Sequence, residues 1–476
     1  MQTITDIIYK LYRQWAGKDP ESIKDLPPAG SKRKYFRVIS GDTTAIGAWN
    51  PVIEENEAFF HFSEHFRRNG LHVPEIYAID PGREIYLLED LGDISLFSVV
   101  DKSTNQEITA GIKNLYRKSL SELVRFQVTG HQGLDYSLCY PRQAFDKRTI
   151  LFDLNYFKYY FLRLHLDFHE DRLEDDFITF TDYLLKTDGN FFMYRDFQAR
   201  NILIKNNQPY FIDYQGGRKG PLLYDVASLL FQVKADLTFS LRKELLEFYL
   251  EELSEMMVID KTSLRKKYEG FVLIRLLQVL GAYGFRGLIE KKPHFIASIP
   301  YALKNLHWWI DQDSFELAIP ELRRALAGLA ALTQYRLPEI SGSGKQSLTV
   351  EIKSFSYKNG YPVDLSKNGG GFVFDCRALP NPGREERYRE FTGKDREIID
   401  YLKDEPAVIA FLDEAEKLVG QSVENYIERG FQNLSVSFGC TGGQHRSVYC
   451  AETLAGRLRR RFPAVGFPVT HTNLSD

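Results

Sequence analysis

The stretch from Phe191 to Gly217 constrains the fold of this chain more than any other part of the sequence. Its second half reads Asn-Ile-Leu-Ile-Lys-Asn-Asn-Gln-Pro-Tyr-Phe-Ile-Asp, so two short apolar segments flank the pair Asn206 and Asn207. Such a pair favours a tight turn, and the pattern therefore predicts a two-stranded hairpin. A hairpin brings its two outer ends together. Its end residues, Asn201 and Asp213, are therefore expected to lie close to each other.

Three polar side chains converge at the open end of this predicted hairpin. Asp196 lies in the loop before the first strand, Asn201 at the start of that strand, and Asp213 at the end of the second strand. Phosphoryl transfer needs a carboxylate that accepts the hydroxyl proton, together with an amide and a second carboxylate that hold Mg²⁺ against the phosphates. A single acidic residue would also fit a solvated turn, but three residues at this spacing favour the catalytic interpretation.

The spacing Asp-x-x-x-x-Asn, followed by Ile-Asp-Tyr, resembles the catalytic and metal-binding loops of the aminoglycoside phosphotransferase and choline kinase families. The resemblance implies an α+β, protein-kinase-like domain of two lobes. It makes Asp196 the catalytic base and makes Asn201 and Asp213 the magnesium ligands. The run from Gly220 to Ala227 is similar to a segment in which an Asp braces the catalytic loop, and it gives that role to Asp225.

The sequence departs from these families at two places. Tyr194 stands where they usually have His, which concerns the geometry of the loop. The predicted strand from Thr43 to Trp49 contains no lysine to pair the phosphates and a helix glutamate. Either a nearby cation supplies that charge, or the domain is a degenerate kinase. A similar subset that lacks this lysine, the anomeric kinases of N-acetylmuramate and N-acetylglucosamine, shares the motifs Tyr-Phe-Arg-Val, Leu-His-Val-Pro and Leu-Leu-Glu-Asp-Leu-Gly, which implies an amino sugar as acceptor.

Two further segments are candidates for holding ATP. The run from Tyr86 to Gly92 resembles the hinge whose backbone binds the adenine edge, which implies nucleotide contacts at Glu89 and Leu91. The run from Gly30 to Val38 fits a phosphate-covering turn with cations beside it, although a basic solvated hairpin fits it equally well. The residues of this run predicted to contact the nucleotide are Ser31, Lys32, Arg33 and Arg37.

A run rich in Gly, Pro and Ser, Leu337 to Ser347, follows a helical stretch and interrupts its apolar periodicity. It predicts a kinase-like domain at 1–335, a linker at 336–347 and a second domain at 348–476. After the linker, apolar strands are interleaved with helical stretches. This order is expected of a smaller α/β domain.

The main motif of the second domain follows an apolar strand and reads Cys-Thr-Gly-Gly-Gln-His-Arg-Ser, from Cys440 to Ser447. Exposed N–H groups at a helix start, glycines that permit close approach, and His and Arg side chains together make an anion site. A tight structural turn is the alternative. This motif, with Ser354 to Gly360 and Phe374 to Pro382, resembles the RapZ C-terminal domain family, an RNase adaptor family that senses glucosamine-6-phosphate and binds small RNAs.

The second resemblance implies a bound sugar phosphate. The P-loop kinase domain that precedes this module in RapZ is absent here, and the kinase-like domain takes its place. Gly383 stands where the family often has His. The residues that the resemblance assigns to the phosphosugar are Lys358, Arg377, Asn381, Thr441, Gly442, Gly443, His445 and Arg446.

Charge and cysteine content limit the partners and the cellular setting expected for this chain. With 61 basic and 64 acidic residues and a net charge of −3, the chain has no bulk attraction to nucleic acid or membrane. From Leu348 onward, 17 Lys and Arg face 18 Asp and Glu, so RNA contact would depend on a local cluster. Four cysteines without CxxC or zinc spacing fit a reducing cytoplasm, and no apolar run approaches the roughly 18 residues of a membrane span. The local basic cluster comprises Arg457, Arg459, Arg460 and Arg461.

Two hypotheses from different classes follow. The first is an ATP- and Mg²⁺-dependent sugar kinase with a fused phosphosugar-sensing domain. The second is a regulatory adaptor that binds RNA or protein and carries a degenerate kinase-like domain. The triad of Asp196, Asn201 and Asp213 favours the enzyme, whereas the missing strand lysine favours the adaptor.

Overall fold

The computed structural model describes residues 3–27, 33–101, 108–312, 315–332, 335, 348–362 and 371–474. The chain divides into two compact units: Met1–Glu290 with Tyr301–Ala331, and Lys291–Pro300 with Leu332–Asp476. The predicted linker at 336–347 lies outside the described residues.

The first unit begins with a five-stranded antiparallel sheet of order β1-β2-β3-β5-β4. Alternate residues of β2, namely Phe36, Val38 and Ser40, are buried, as the period of two in a strand requires. Helix α1 packs on this sheet, and its Thr3 cap satisfies the N–H of Asp6. The elements of this lobe are α1 Ile4–Ala16, β1 Ser22–Asp25, β2 Lys34–Ser40, β3 Thr43–Trp49, α2 Ile53–Arg68, β4 Ile76–Ile79 and β5 Ile85–Glu89.

A mostly helical lobe follows the sheet, which agrees with the two lobes implied by the resemblance to the phosphotransferase and choline kinase families. It contains two small antiparallel pairs, β6 with β9 and β7 with β8. The strands are β6 Phe191–Met193, β7 Ile202–Lys205, β8 Gln208–Phe211 and β9 Arg218–Gly220. The helices are α3 Leu96–Asp101, α4 Ala110–Val128, α5 Lys147–Tyr160, α6 Glu170–Leu185, α7 Leu223–Leu230, α8 Phe239–Met256, α9 Lys261–Tyr283, α11 Ile299–Gln312 and α12 Pro320–Ala330. The short helix between α9 and α11, α10 Pro293–Ile296, belongs to the second unit.

One helical stretch among the described residues, Lys261–Ile289, is long and apolar enough to cross a membrane by length and composition. The sequence expectation that no apolar run approaches this length therefore has one exception. The most apolar 18-residue window of the stretch is 56% buried inside the structure, and buried core helices pass the same test.

The second unit is built on a four-stranded sheet of order β11-β12-β10-β13, in which every pair is parallel. Strand β12 is buried along nearly its whole length, as expected for an inner strand of a covered parallel sheet. In a parallel sheet the carboxyl ends of all strands meet at one edge, where ligands usually bind. The elements are β10 Thr349–Ser356, β11 Gly371–Asp375, α13 Arg396–Leu402, α14 Pro406–Glu428, β12 Asn433–Cys440, α15 Arg446–Arg461 and β13 Val469–His471.

Candidate functional site

The hairpin predicted around Asn206 and Asn207 is present as β7 and β8. Both asparagines have positive φ angles, 52° and 58°, and Lys205 pairs with Gln208, so the turn is a two-residue connection of the kind that asparagine favours. At the open end the Ile212 N–H donates to the Asn201 carbonyl at 3.0 Å. The hairpin therefore positions Asn201 directly beside the segment that carries Asp213.

Asp196, Asn201 and Asp213 lie together at this open end. The Asn201 side-chain amide donates to Asp213 Oδ2 at 3.2 Å and to the Asp196 carbonyl at 2.9 Å. Two glutamines each hold one further carboxylate oxygen: Gln198 donates to Asp196 Oδ1 at 3.2 Å, and Gln215 donates to Asp213 Oδ1 at 2.7 Å. The structure thus brings the three predicted residues together and adds two amides that the sequence reasoning missed.

The charge at this point is negative and only partly compensated. Burial, and after it the neighbouring Asp196 carboxylate, raise the pKa of Asp213 above its usual value. A divalent cation at this place would relieve that repulsion, and carboxylate and amide oxygens are the ligands that Mg²⁺ prefers. The described residues contain no group of three or more His, Cys, Asp or Glu arranged to hold a metal. Two protein ligands, with the rest from water and phosphates, suffice for a nucleotide-bound Mg²⁺.

Asp225, at the start of α7, braces the loop before Asp196. Its fully buried carboxylate accepts the backbone N–H groups of Tyr194 at 2.7 Å and Arg195 at 2.9 Å, and burial raises its pKa to about 7. The Arg195 backbone has a φ of 76°, a strained value for a residue with a side chain, so the two hydrogen bonds stabilise an unusual turn. Tyr194, which stands where similar families have His, donates its hydroxyl to the Ile212 carbonyl at 2.7 Å.

The Arg195 side chain adds a second brace that the sequence reasoning missed. Its guanidinium donates to both oxygens of Asp153 on α5, at 2.8 and 2.7 Å, and to the Tyr224 hydroxyl at 2.7 Å. Nη2 makes both contacts to Asp153 and Nη1 makes the contact to Tyr224, so two guanidinium nitrogens fix the orientation of the side chain. The loop that carries Asp196 is therefore held from α5 and from α7 at once.

Arg33 is a buried cation close to Asp213, and strand β3 itself carries no lysine. Arg33 precedes β2, is 6% exposed, and its Nη2 lies 2.9 Å from Glu55 of α2, while its Nη1 lies 4.0 Å from Asp213 Oδ1. In kinases the strand lysine likewise pairs with a helix glutamate, so Arg33 is placed where it could substitute for that lysine. The two other predicted nucleotide contacts before it are Ser31 and Lys32, and both lie outside the described residues.

Arg37, also predicted to contact the nucleotide, is held elsewhere. Its guanidinium contacts Asp90 at 2.8 Å and Asp93 at 2.7 Å, the two carboxylates that follow β5. The Glu89 side chain pairs with Lys205 at 2.8 Å. Leu91 is 5% exposed, and no hydrogen bond between described residues uses its backbone N–H or C=O. An adenine edge needs such unused backbone groups, so Leu91 retains its predicted role better than Arg37.

In the second unit the predicted anion loop joins β12 to α15 at the carboxyl edge of the parallel sheet. Gly443 has a φ of 70°, and a Cβ there would lie 2.6 Å from Asn473 Oδ1 and 2.9 Å from the Ser356 nitrogen, so only glycine fits. A Cβ on Gly442 would meet open space. The Thr441 carbonyl accepts the Ser356 hydroxyl at 2.7 Å. The ends of β10, β12 and β13 are thus linked around the loop.

The Cys440 thiol lies at the base of this loop. Its sulfur accepts the Gly443 N–H at 3.2 Å, and the Ser447 hydroxyl is 3.1 Å away. These contacts hold the loop tightly against the end of β12. All four cysteines are buried and free, which agrees with the absence of a disulfide framework in the sequence pattern.

His445 and Arg446 point into protein contacts. The His445 Nε2–H donates to the Tyr388 carbonyl at 3.0 Å, and burial lowers the pKa of this histidine. Arg446 is 5% exposed and its Nη1 donates to the carbonyls of Arg377 at 2.7 Å and Leu379 at 3.0 Å. The structure therefore joins these predicted residues to the segment after β11, and Arg446 reaches that segment rather than open solvent.

Arg377 is the exposed arginine of the pair. It forms a two-pronged ion pair with Asp375, with 3.0 and 2.7 Å contacts, and its guanidinium lies 4.0 Å from the centre of the Tyr357 ring. Lys358 and Asn381 lie in the turns that follow β10 and β11. Asp375 and Tyr357 were missed by sequence reasoning, although both lie beside predicted residues in the chain.

Two protein families match this chain. Residues 29–259 match the phosphotransferase enzyme family, and residues 320–475 match the RapZ C-terminal domain. The chain therefore combines a phosphotransferase-family domain with a RapZ C-terminal domain. These matches confirm both resemblances drawn from the motifs, and with them the predicted α+β, protein-kinase-like first domain and the smaller α/β second domain.

The chain is similar to curated proteins over part of its length. A nucleotide-binding protein of Bifidobacterium adolescentis is 42% identical over 120 residues, which cover 25% of this chain and 37% of that protein. A nucleotide-binding protein of Laribacter hongkongensis is 41% identical over 147 residues, which cover 31% of this chain and 47% of that protein. The chain thus spans less than half the length of these two relatives.

Solved structures also resemble the chain. Choline kinase from Cryptosporidium parvum has 14% identity and a TM-score of 0.46, with 68% of this chain and 99% of that chain covered. A choline/ethanolamine kinase family protein from Mesorhizobium loti has 14% identity and a TM-score of 0.42, with 69% and 99% covered.

Proposed function

We propose that this protein is an ATP- and Mg²⁺-dependent kinase of a small molecule, with an amino sugar such as N-acetylmuramate or N-acetylglucosamine as acceptor. One observation carries the proposal: the hairpin of β7 and β8 gathers Asp196, Asn201 and Asp213 at one point. Phosphoryl transfer requires little covalent chemistry from the protein. It mainly requires that the reactants are positioned and that the developing charge is stabilised. The site supplies both.

Each residue of the site has a separate role in this proposal. Asp196, oriented by Gln198, accepts the proton of the acceptor hydroxyl as the hydroxyl oxygen attacks phosphorus. Asn201 and Asp213 would hold Mg²⁺, which neutralises phosphate charge when bound. Asp225 keeps the backbone of the Asp196 loop in place through its two N–H contacts.

The nucleotide is held by residues of the sheet lobe. Arg33, fixed by Glu55, faces Asp213 and would pair with the phosphates, which removes the main sequence argument for a degenerate kinase. Backbone groups around Glu89 and Leu91 would bind the adenine edge. Arg37 takes no part, because Asp90 and Asp93 already satisfy it.

A phosphorylation screen tests this activity directly. The purified chain is incubated with ATP, Mg²⁺ and each of a set of amino sugars, muramic derivatives and aminoglycosides, and ADP release is followed. Turnover of an amino sugar that disappears on addition of EDTA supports the proposal. Absence of turnover with every acceptor contradicts it.

The second domain would sense a phosphosugar, as the product of the kinase or as a pathway metabolite. The loop from Thr441 to His445 and the turns with Lys358, Arg377 and Asn381 surround the carboxyl edge of its sheet, which is the usual place for a ligand in an α/β fold. A reducing, cytoplasmic setting fits the buried free thiols. Calorimetric titration with glucosamine-6-phosphate is the corresponding binding test.

The adaptor hypothesis remains as the second candidate, because residues 320–475 match the RapZ C-terminal domain. The basic cluster on α15 gives less support to an adaptor that binds RNA. Arg457 pairs with Asp413 at 2.7 Å, Arg461 pairs with Glu424 at 2.8 Å, and Arg459 donates to the Phe467 carbonyl at 2.6 Å. Arg457 and Arg461, whose charges are paired with carboxylates, would attract a phosphate backbone only weakly. Strongly salt-dependent RNA binding by the full chain, without kinase activity, would favour the adaptor.

A further inference from the structure

Four buried polar side chains in the helical lobe of the first unit each have an atom without a hydrogen-bond partner. They come from four helices: Tyr116 from α4, Arg242 from α8, Tyr268 from α9 and Asn305 from α11. Their exposed fractions are 0%, 3%, 7% and 1%. The atoms without a partner among the described residues are the two tyrosine hydroxyls, Arg242 Nη2 and Asn305 Nδ2. Buried polar atoms are normally satisfied, so four of them in one lobe point to an additional group.

Arg242 connects the members of this set. Its Nη1 donates to Asn305 Oδ1 at 2.8 Å, and its Nε donates to the Leu237 carbonyl at 2.9 Å. Its guanidinium lies 4.5 Å from the centre of the Phe231 ring, and the Tyr268 ring packs on the same phenylalanine with ring centres 6.4 Å apart. The positive charge of Arg242 also acts on the hydroxyls of both tyrosines. The four side chains therefore form one group, named here the donor cluster.

The free atoms of the donor cluster are all able to donate a hydrogen bond. Arg242 has no acceptor atom, so the Asn305 oxygen must face it, and the free end of that amide is its NH2 group. Burial raises the pKa of the Tyr116 and Tyr268 hydroxyls above their usual value, so both keep their protons. The donor cluster therefore lacks an acceptor, and the described residues do not supply one.

The charge of Arg242 has no anion of the described residues in contact with it. Burial lowers the pKa of Arg242 to about 10, so the guanidinium remains charged at neutral pH. Asp236 acts on this charge, but both of its oxygens contact Lys304 Nζ, at 2.9 Å each. The rings of Phe231 and Phe239, at 4.5 and 4.6 Å, stabilise the cation but offer no acceptor to Nη2. A charge buried without an anion is costly, so the missing acceptor is one that carries negative charge.

We infer that the donor cluster binds a small monovalent anion, of which chloride is the simplest, inside the helical lobe. One negative charge balances Arg242, and an anion accepts hydrogen bonds from donors without bringing protons that need acceptors of their own. The low exposure of the four side chains excludes phosphates, nucleotides and sugars, so this site is separate from the kinase site and does not rest on the proposed kinase activity. The anion joins α4, α8, α9 and α11, so its removal should lower the stability of this lobe.

Thermal unfolding of the full chain tests the inference with chloride as the probe. Chloride replaces gluconate, an anion too large for a closed site, at constant ionic strength, and the unfolding midpoint is followed. The midpoint should rise by about 5 °C once chloride exceeds its dissociation constant about 100-fold, because a ligand that binds only the folded state stabilises it. Crystals soaked in bromide should show that ion, by its anomalous scattering, beside Arg242 Nη2.

Three variants locate the effect. Tyr268→Phe removes one donor, keeps the ring, and should shift the chloride dependence to about tenfold higher concentration, as expected for one lost hydrogen bond to a charged group. Arg242→Gln should abolish the dependence. Tyr249→Phe is the matched control, because this fully buried tyrosine of α8 already donates its hydroxyl to Gln127 Oε1 at 2.6 Å. It should lower the midpoint equally in chloride and in gluconate.

Other outcomes would overturn the inference. An equal midpoint in chloride and in gluconate would leave a bridging water as the occupant, because water binding does not depend on the anion. A chloride dependence that is unchanged in Tyr268→Phe and Arg242→Gln would place the anion elsewhere, as would bromide found only at the surface. If Arg242→Gln fails to fold, Tyr268→Phe and the position of bromide decide the matter. None of these results bears on the kinase proposal, which the phosphorylation screen tests.

Discussion

The two candidate sites differ in how far each satisfies its own charges. In the first unit, the carboxylates of Asp196 and Asp213 are held by neutral amides, which orient them without cancelling their charge. In the second unit, Arg377 is paired with the carboxylate of Asp375, and Arg446 is bound to two backbone carbonyls. The first site is incomplete without a cation. The second is partly complete by itself, so an anion must compete for its arginines.

This difference predicts unequal responses to mutation. Removing a group from an incomplete site removes a function that nothing else supplies. Removing a group from a self-satisfied site also removes a structural contact, and the loss is spread over binding and stability.

Asp196→Asn should lower turnover by roughly 100-fold or more, because loss of a general base usually costs that much, and should leave nucleotide binding nearly unchanged. Steady-state kinetics with the best acceptor of the screen, and a fluorescent-nucleotide titration, measure the two effects. Asp167→Asn, at an exposed position of the same unit, is the control. Undiminished turnover in Asp196→Asn would remove Asp196 from the mechanism.

Asp213→Ala should act earlier, on the binding of Mg²⁺-ATP itself, and weaken it by about 100-fold, since a metal ligand is lost before any chemistry. The mutation also removes the carboxylate that faces Arg33. Binding of ATP without Mg²⁺ should therefore change much less, and the ratio of the two affinities is the informative quantity. Equal Mg²⁺-ATP affinity with and without Asp213 would contradict its role as a ligand.

Local patterns explain which part of these sites could be predicted from the sequence. The Asn206–Asn207 turn and the two short strands determine that Asn201 and Asp213 meet, and both features lie within one short segment. The Gly-rich loop before α15 is local in the same way. The partners of long charged side chains could not be predicted from local patterns. Nothing in the spacing shows that Arg33 pairs with Glu55 while Arg37 turns to Asp90.

The partners of buried arginines follow from packing between distant elements, and sequence reasoning could not supply them. Arg446 was expected to reach a ligand, yet its Nη1 is used by carbonyls about seventy residues earlier in the chain. The contact of Arg195 with Asp153 could not be predicted either, because the two residues lie 42 positions apart and only the packing of the catalytic loop against α5 brings them together.

Arg446→Ala should weaken the binding of glucosamine-6-phosphate to the full chain by about ten- to a hundredfold, the range for loss of charge-assisted hydrogen bonds. Because Arg446 also holds the carbonyls of Arg377 and Leu379, the second unit should unfold at a lower temperature. Arg460→Ala, at an exposed position of α15, should do neither. Lower thermal stability with unchanged phosphosugar affinity would show that Arg446 is purely structural.

Asp375→Asn should have the smallest effect, and unlike the other variants it should strengthen ligand binding. The Asp375 carboxylate holds Arg377 in a two-pronged pair beside the anion loop, and a phosphate must displace that carboxylate to use the arginine. The pair is largely exposed, so its strength is modest and its removal should raise phosphosugar affinity by only about two- to fivefold. The gain should vanish in an Arg377→Ala background and shrink at high salt. Weaker binding by Asp375→Asn would mean that the carboxylate positions Arg377 for the ligand, and the second site would then be as dependent on each of its charges as the first.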